Sequence, residues 1–177
     1  MCFADSQRSV RTDARSIERH SNPFTFRGGN GRTNPMYDDI LVPTDGGEQM
    51  GSVIDAAVDI AAQRGATVHA LSVIDRGVFL TLDDGLTDAV EEELTANAEG
   101  AVRAVTEAAE AAEIEHEAVV RRGRPGEEIV AYADEIGADL IVMGTHGHGG
   151  VERYLLGSTA EKVIRTAPIP VMTIRAE

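Results

Sequence analysis

The sequence predicts an α/β domain in which a five-stranded parallel sheet carries helices on both faces. Short apolar runs alternate along the chain with segments whose apolar residues recur at helical spacing. Glycine and proline separate the two kinds of segment. Strands that alternate with helices are joined by right-handed crossovers, which makes the sheet parallel and the domain doubly wound.

Each element has its own signal in the sequence. Apolar runs predict four of the five strands, alternating polar and apolar residues predict the third, and helical periodicity predicts four helices between them. Gly65 and Gly137 are stop signals for two helices, and Pro125 with acids behind it is the start signal for another. The predicted strands are Asp39–Thr44, Thr67–Ile74, Ile114–Arg121, Ala138–Met143 and Val171–Arg175, and the predicted helices are Gln49–Arg64, Asp88–Ala112, Pro125–Ile136 and Ser158–Thr166.

Residues 1–35 differ in composition from the rest of the chain. They are rich in Ser, Arg, Asn and Gly and carry few spaced apolar residues, so folding could not offset the entropy of ordering them. Six arginines against three acids give this segment a charge of +3, whereas ten basic and 27 acidic residues give 36–177 a charge of −17. We expect a basic, disordered tail at 1–35 and one domain at 36–177. Because Met36 directly precedes the first strand, the tail is either an artefact of an early start codon or a basic arm for an acidic partner.

The net charge of −14 argues against nucleic acid and anionic membranes as partners, because both require a basic face. Lys162 is the only lysine, and an acidic chain that nearly lacks lysine is typical of a salt-loving organism; an ordinary acidic cytosolic protein is the alternative.

No apolar run approaches the ~20 residues of a membrane span, and no apolar segment follows the N-terminal arginines. Cys2 is the only cysteine, so no disulfide can form within the chain. We expect a cytoplasmic protein.

Ligands of doubly wound sheets bind beyond the carboxyl ends of the strands, where the strand order reverses. Two predicted strand ends carry suitable loops, Pro43–Gly47 after the first strand and Gly144–Gly150 after the fourth. In the second loop and just beyond it, glycines occupy positions 144, 147, 149, 150 and 157, where main-chain N–H groups can approach a ligand closely. This pattern predicts that Gly144–Ser158 binds the phosphates of a nucleotide, most simply ATP or a relative.

A helix start follows this loop. Ser158-Thr159-Ala160-Glu161 has the S-x-x-E pattern of a capping box, and a helix N-terminus behind glycine is a ready anion site. A glycine-rich turn with an ordinary cap is the alternative. The P-loop pattern is absent, because the only lysine follows Glu161, and the G-x-G-x-x-G pattern fails because position 152 is Glu.

The spacing Gly144-x2-Gly147-x9-Gly157-Ser158 resembles the ATP-binding motif of the universal stress protein family. Asp45 after the first strand, the Gly123-Arg124-Pro125 turn and the segment 167–171 are also similar to that family. The resemblance covers Met36 to the C-terminus, and the acidic, lysine-poor composition favours a member from a halophilic archaeon. It implies strand order 3-2-1-4-5 in a Rossmann-like, adenine-nucleotide alpha-hydrolase-like fold, with the first and fourth strands adjacent at the switch point.

The resemblance also implies a set of nucleotide contacts. Asp45 would lie near the adenosine, with a simple helix cap as the alternative role. The main chain of Val73 would contact the adenine edge, with an ordinary core position as the alternative. The full set of candidate nucleotide-binding residues is Pro43, Thr44, Asp45, Val73, Gly123, Met143, Gly144, His146, Gly147, His148, Gly157, Ser158 and Thr159.

His148 occupies a position that is often basic in that family, which lowers the fixed positive charge near the phosphates; Arg153 or a divalent ion could compensate. His146 and His148 also suggest a metal pair, but without a third ligand in the loop we expect no dedicated metal site. Mg²⁺ would instead be carried by the nucleotide phosphates and water.

The expected function is a nucleotide-binding stress or regulatory module with at most slow ATP hydrolysis, because no P-loop lysine is present. One alternative is an enzyme of the same fold, an ATPase or an ATP-pyrophosphatase, although Thr44–Glu48 fits the S-G-G-x-D-S pattern of the latter poorly. Another is a dimeric stress protein that binds no nucleotide. The last strand, Val171–Arg175, would be an edge strand open to pairing, and the resemblance implies a homodimer through it.

Overall fold

The computed structural model describes residues 37–47, 50–75, 77, 87–145 and 156–175. They form one five-stranded parallel sheet with strand order β3-β2-β1-β4-β5, which confirms the predicted fold class and strand order. The strands are β1 (Asp39–Pro43), β2 (Thr67–Asp75), β3 (His116–Gly123), β4 (Leu140–Gly144) and β5 (Val171–Ile174). The helices are α1 (Met50–Arg64), α2 (Thr87–Ala111), α3 (Pro125–Ile136) and α4 (Ser158–Thr166).

The sheet separates two apolar layers. On one face α1 and α2 pack over even-numbered strand residues such as Ile40, Val68 and Val142. On the other face α3 and α4 pack over odd-numbered residues such as Leu41 and Ile141. This alternation follows from the two-residue repeat of a strand, and burial on both faces explains why β1, β2 and β4 appear in the sequence as continuous apolar runs.

The stop signals behave as predicted at two helix ends. Gly65 follows α1 with φ +70°, and Gly137 follows α3 with φ +66°. Both φ values lie in the left-handed region, which glycine adopts without a Cβ clash. Pro125 opens α3 with Glu127 and Glu128 in the first turn, as expected for a helix N-terminus.

The predicted start of β3 was wrong by two residues. The sequence placed it at Ile114, whereas the strand runs from His116 to Gly123. Ile114 lies in the turn that follows α2, where its amide donates to the carbonyl of Ala109 at 2.9 Å and its side chain is buried in the α1–α2 layer. The same turn places Glu113 at φ +57°. In the described part of the chain, no helix is both long and apolar enough to cross a bilayer.

Candidate nucleotide site

A cleft opens where β1 and β4 part. Their last paired residues are Leu41 and Ile141, although β1 continues to Pro43. The amide of Thr44 donates to the carbonyl of Leu71 in β2 at 2.8 Å, so even-numbered residues of β1 face β2 and odd-numbered ones face β4. Pro43 therefore faces β4 with a nitrogen that cannot donate, and pairing cannot continue there. The proline helps to open the sheet at its switch point, where ligands of this fold class bind.

β2 extends past the end of β1. Its last register pair with β1 is Leu71 with Pro43, yet β2 continues to Asp75, paired with β3. The amide of Val68 donates to Glu115 on the β3 side, so even-numbered residues of β2 face β3. The N–H and C=O of Val73 consequently face the side on which β1 has ended. They form a donor–acceptor pair beside the cleft, suited to the edge of a planar heterocycle.

The turn after β1 is fixed by its own side chains. Thr44 Oγ1 accepts from the amide of Gly46 at 3.2 Å, and Asp45 Oδ1 accepts from the amide of Gly47 at 3.0 Å. Gly46 has φ +76°, and a Cβ on it would lie 3.1 Å from Cβ of Ala101 in α2. Asp45 thus orders the turn itself, because α1 begins only at Met50. The turn holds an exposed carboxylate at the mouth of the cleft.

Thr145 joins three parts of the site. Its amide donates to the carbonyl of Ile174 in β5 at 3.0 Å, and its own carbonyl accepts from the amide of Gly157 at 2.8 Å. The second bond brings the two ends of the glycine-rich loop together. As a result, the N-terminus of α4 lies directly beside the carboxyl end of β4.

The predicted capping box at the start of α4 was wrong. Gly157, with φ −61° and ψ 148°, is the N-cap residue and has no side chain to cap the helix, whereas Ser158 already lies within the first turn. Glu161 Oε1 accepts from Arg165 one turn further on, at 2.6 Å, so its carboxylate turns along the helix and not back toward the N-terminus.

The start of α4 therefore has no side-chain cap among the described residues. The amide of Glu161 donates to the carbonyl of Gly157 at 2.9 Å, which is the first bond of the helix. By helix geometry, the amides of Ser158, Thr159 and Ala160 have no partner within the helix. Together with the helix dipole, these three amides make the start of α4 a candidate anion site.

Two of the candidate residues, Met143 and Gly123, do not face the cleft directly. Met143 is 5% exposed, with its side chain in the α3–α4 layer. Its main chain faces β5, because Ile141 and Thr145 both donate to that side, so Gly144 is the residue that faces the cleft. Gly123 ends β3 and is separated from β1 by β2; a Cβ there would lie 2.5 Å from Oε1 of Glu128.

The structure brings part of the predicted set together. Pro43, Thr44, Asp45, Gly144 and Gly157 with the start of α4 surround the cleft, and Val73 borders it. The candidates His146, Gly147 and His148 lie outside the described residues. Over the described ranges, no group of three or more His, Cys, Asp or Glu side chains is arranged to hold a metal ion.

Sequence reasoning missed Gly126 in the first turn of α3. A Cβ on this residue would lie 2.7 Å from Cγ of Lys162, so the missing side chain lets α3 and α4 pack closely beside the anion site. The only lysine of the chain lies across this contact. The Pro125-Gly126 pair was a possible signal, because glycine inside a helix start usually has a packing reason.

Comparison with known proteins identifies the family. Residues 36–175 match the sequence profile of the universal stress protein family. A universal stress protein of Methanocaldococcus jannaschii is 37% identical over 141 residues, which are 79% of this chain and 83% of that protein.

Solved structures of the same family resemble the fold and include nucleotide complexes. A universal stress protein in complex with cAMP has a TM-score of 0.59 and 26% identity, over 80% of this chain and 99% of the other. The Archaeoglobus fulgidus protein in complex with dAMP has a TM-score of 0.59 and 25% identity, over 78% of this chain and 98% of the other.

Proposed function

The chain belongs to the universal stress protein family, and from this premise we propose that it binds ATP or a close relative in the cleft between β1 and β4. It acts as a nucleotide-responsive stress or regulatory module. The adenine edge contacts the main chain of Val73, and Asp45 lies near the adenosine. The phosphates lie at the N-terminus of α4 and on the glycine-rich loop, with Mg²⁺ carried by the phosphates and water.

One observation carries the proposal, namely the position of the α4 N-terminus. The bond between Gly157 and Thr145 fixes three first-turn amides beside the mouth of the cleft. The donor–acceptor pair of Val73 lies across the end of β1 from them. A cleft with a candidate anion site at one end and a donor–acceptor pair for a heterocycle edge at the other suits a nucleotide. The related proteins in complex with cAMP and dAMP give independent support for an adenine base.

The experiment asks whether the protein binds nucleotide and whether α4 is needed. Mass spectrometry of small molecules released from purified protein should find an adenine nucleotide, and added Mg-ATP should raise the thermal midpoint. Gly157→Val should abolish the thermal shift. Its φ and ψ suit valine, so the substitution adds bulk at the anion site without backbone strain. Recovery of no nucleotide together with no shift in the unsubstituted protein would overturn the proposal.

Gly100→Val is the matched control. Gly100 lies on the exposed side of α2, and a Cβ there would have no neighbour within 4 Å. This variant carries the same substitution in open space, and because valine has a somewhat higher helix propensity than glycine, we expect no loss of stability from it. It should keep the nucleotide shift of the unsubstituted protein.

We expect the protein to bind ATP with little or no hydrolysis. Hydrolysis needs a positioned water, a base and charge stabilisation at the γ-phosphate. Lys162 lies a turn into α4 with its stem on Gly126, and the chain has no P-loop lysine. We therefore expect ATP to protect the protein without appreciable turnover. Steady release of phosphate well above background, lost in Gly157→Val, would instead favour an ATPase of the same fold.

We also propose that two copies associate through β5. This strand has β4 on one side and is the last in the sheet. Met172 on β5 and Ile164 on the adjacent α4 are exposed by 39% and 45%, and such apolar surface beside an open edge favours pairing with a second chain.

A further inference from the structure

The stem of Lys162 in α4 lies against the first turn of the neighbouring helix. A Cβ on Gly126, the second residue of α3, would lie 2.7 Å from Cγ and 2.9 Å from Cβ of Lys162. Both distances are shorter than carbon atoms of packed side chains tolerate, so the lysine stem fills the space that a side chain at Gly126 would need. Because Cβ of Lys162 is fixed by its backbone, such a side chain would displace both the stem and the start of α4.

The position of Lys162 directs its ammonium toward the start of α4. Helical side chains lean toward the helix N-terminus and cover the preceding turn. Lys162 lies one turn after Ser158, and a stem of four methylenes spans about the ~5.4 Å pitch of a turn. The carbonyl of Thr159 is 3.7 Å from the same Cβ position on Gly126, so the contact lies at the first turn. The ammonium is therefore within reach of the candidate anion site formed by the amides of residues 158–160.

The carboxylates closest to this contact along the two helices are engaged by arginines. The ion pairs are Glu127 with Arg124, Glu128 with Arg121 and Glu161 with Arg165. Over the described ranges, no carboxylate lies within ion-pair distance of the Lys162 ammonium. A chain with a net charge of −14 thus keeps the ammonium of its only lysine unpaired at this position.

The local field makes this position unfavourable for a cation that has no anion beside it. The stem lies between the first turns of α3 and α4, and neither helix start has a side-chain cap. The positive ends of two helix dipoles therefore lie close to the ammonium, which raises its free energy. A multiply charged anion bound between the ammonium and the amides of α4 would reverse the sign of this interaction.

We propose that Lys162 makes the nucleotide site select nucleotides with two or three phosphates over monophosphates. This inference rests on the proposed nucleotide binding. The first-turn amides of α4 bind one phosphate, and the ammonium forms an ion pair that only a further phosphate of the same ligand reaches. The ammonium supplies neither a base nor a positioned water, so this role adds affinity and not hydrolysis.

The experiment measures binding of ATP and of AMP, each with excess Mg²⁺, by isothermal titration calorimetry. In Lys162→Met an unbranched stem still packs on Gly126, but the charge is gone. ATP affinity should fall by about tenfold, the lower end for one hydrogen bond to a charged group, while AMP affinity changes little. Arg103→Met is the control, because it removes the same charge from the exposed side of α2, on the other face of the sheet. It should keep the ATP-to-AMP affinity ratio of the unsubstituted protein.

Gly126→Ala tests the contact that positions the lysine. Alanine suits a helix better than glycine, and its methyl group displaces the stem while the charge remains. ATP affinity should therefore fall in Gly126→Ala, but the same substitution should have little further effect on a chain that already carries Lys162→Met. A loss of equal size in both chains would overturn the positioning role of Gly126.

The outcomes separate this inference from the proposed function. Unchanged ATP affinity in Lys162→Met, or equal losses for ATP and AMP, would overturn the selective role of Lys162 while nucleotide binding stands. If the unsubstituted protein binds neither nucleotide, the proposed function is overturned, and this inference with it.

Discussion

Tyr132 is buried beneath the guanidinium of Arg121, whose Cζ lies 4.5 Å from the centre of the phenol ring. Burial raises the pKa of this phenol, the carboxylate of Glu117 raises it further, and Arg121 opposes the shift. In the unfolded chain the same phenol ionises near its ordinary value of about 10. Above that pH the unfolded state loses a proton that the folded state retains, so Tyr132 makes stability fall as pH rises.

Tyr132→Phe should reduce this alkaline loss. Urea unfolding at about pH 8 and about pH 10.5 brackets the ordinary phenol range. The variant should lose less unfolding free energy between the two than the unsubstituted protein. If Tyr132→Phe loses as much stability as the unsubstituted protein, the buried phenol has no part in the alkaline response.

Local turn chemistry can be read from the sequence, because an aspartate after a strand commonly accepts from the amide two residues on, as Asp45 does from Gly47. The predicted contact of Asp45 with the adenosine stays a prediction. The predicted capping box was wrong because the S-x-x-E pattern does not show which residue is the N-cap. Gly157 is the N-cap of α4, and the Glu161 carboxylate accepts a hydrogen bond from Arg165 instead of from the helix start. The role of Pro43 was also hidden, since the sequence alone does not show which neighbour a strand nitrogen faces.

At the scale of elements, the edge position of β5 carries the next prediction. Met172→Arg places a charge on the exposed side of that strand. If two copies pair there, the variant should be monomeric by light scattering in concentrated salt, while the unsubstituted protein is dimeric. Burying the charge without a partner would cost more than a weak strand pairing returns.

Ala104→Arg on the exposed side of α2 is the control for this test. It adds the same charge at the other end of the sheet, because α2 packs on β2 and β3, and should stay dimeric. A monomeric unsubstituted protein would refute the dimer. A dimeric Met172→Arg variant would place the interface elsewhere.

Element types and order were predictable because periodicity reports burial directly. Strands buried on both faces gave continuous apolar runs, and the helices gave one apolar stripe each. Boundaries were less predictable because an apolar residue can serve either neighbouring element. Ile114 shows this, since the same side chain that suggested a strand start closes the end of α2.

At the scale of the whole molecule, the dominant feature is charge. Residues 36–177 hold 27 acidic and ten basic groups, so acidic groups outnumber basic ones by 17. Bases that do pair, such as Arg122 with Glu91 and Arg165 with Glu161, hold exposed positions. Such a surface repels itself, and folding brings its charges closer together than they are in the unfolded chain. We therefore propose that the chain is adapted to concentrated salt.

Potassium chloride should raise the thermal midpoint, with most of the rise before about 1 M, where the screening length falls to about 3 Å. A triple variant, Glu92→Gln, Glu93→Gln and Glu107→Gln, removes three exposed charges of α2. It should be more stable than the unsubstituted protein in dilute buffer and respond less to chloride, because less repulsion remains to be screened. Sulfate also stabilises proteins by exclusion from their surface, so both chains should keep a similar extra response to it. Identical chloride responses in the two chains would mean that salt acts through the solvent, and the acidic surface would need another explanation.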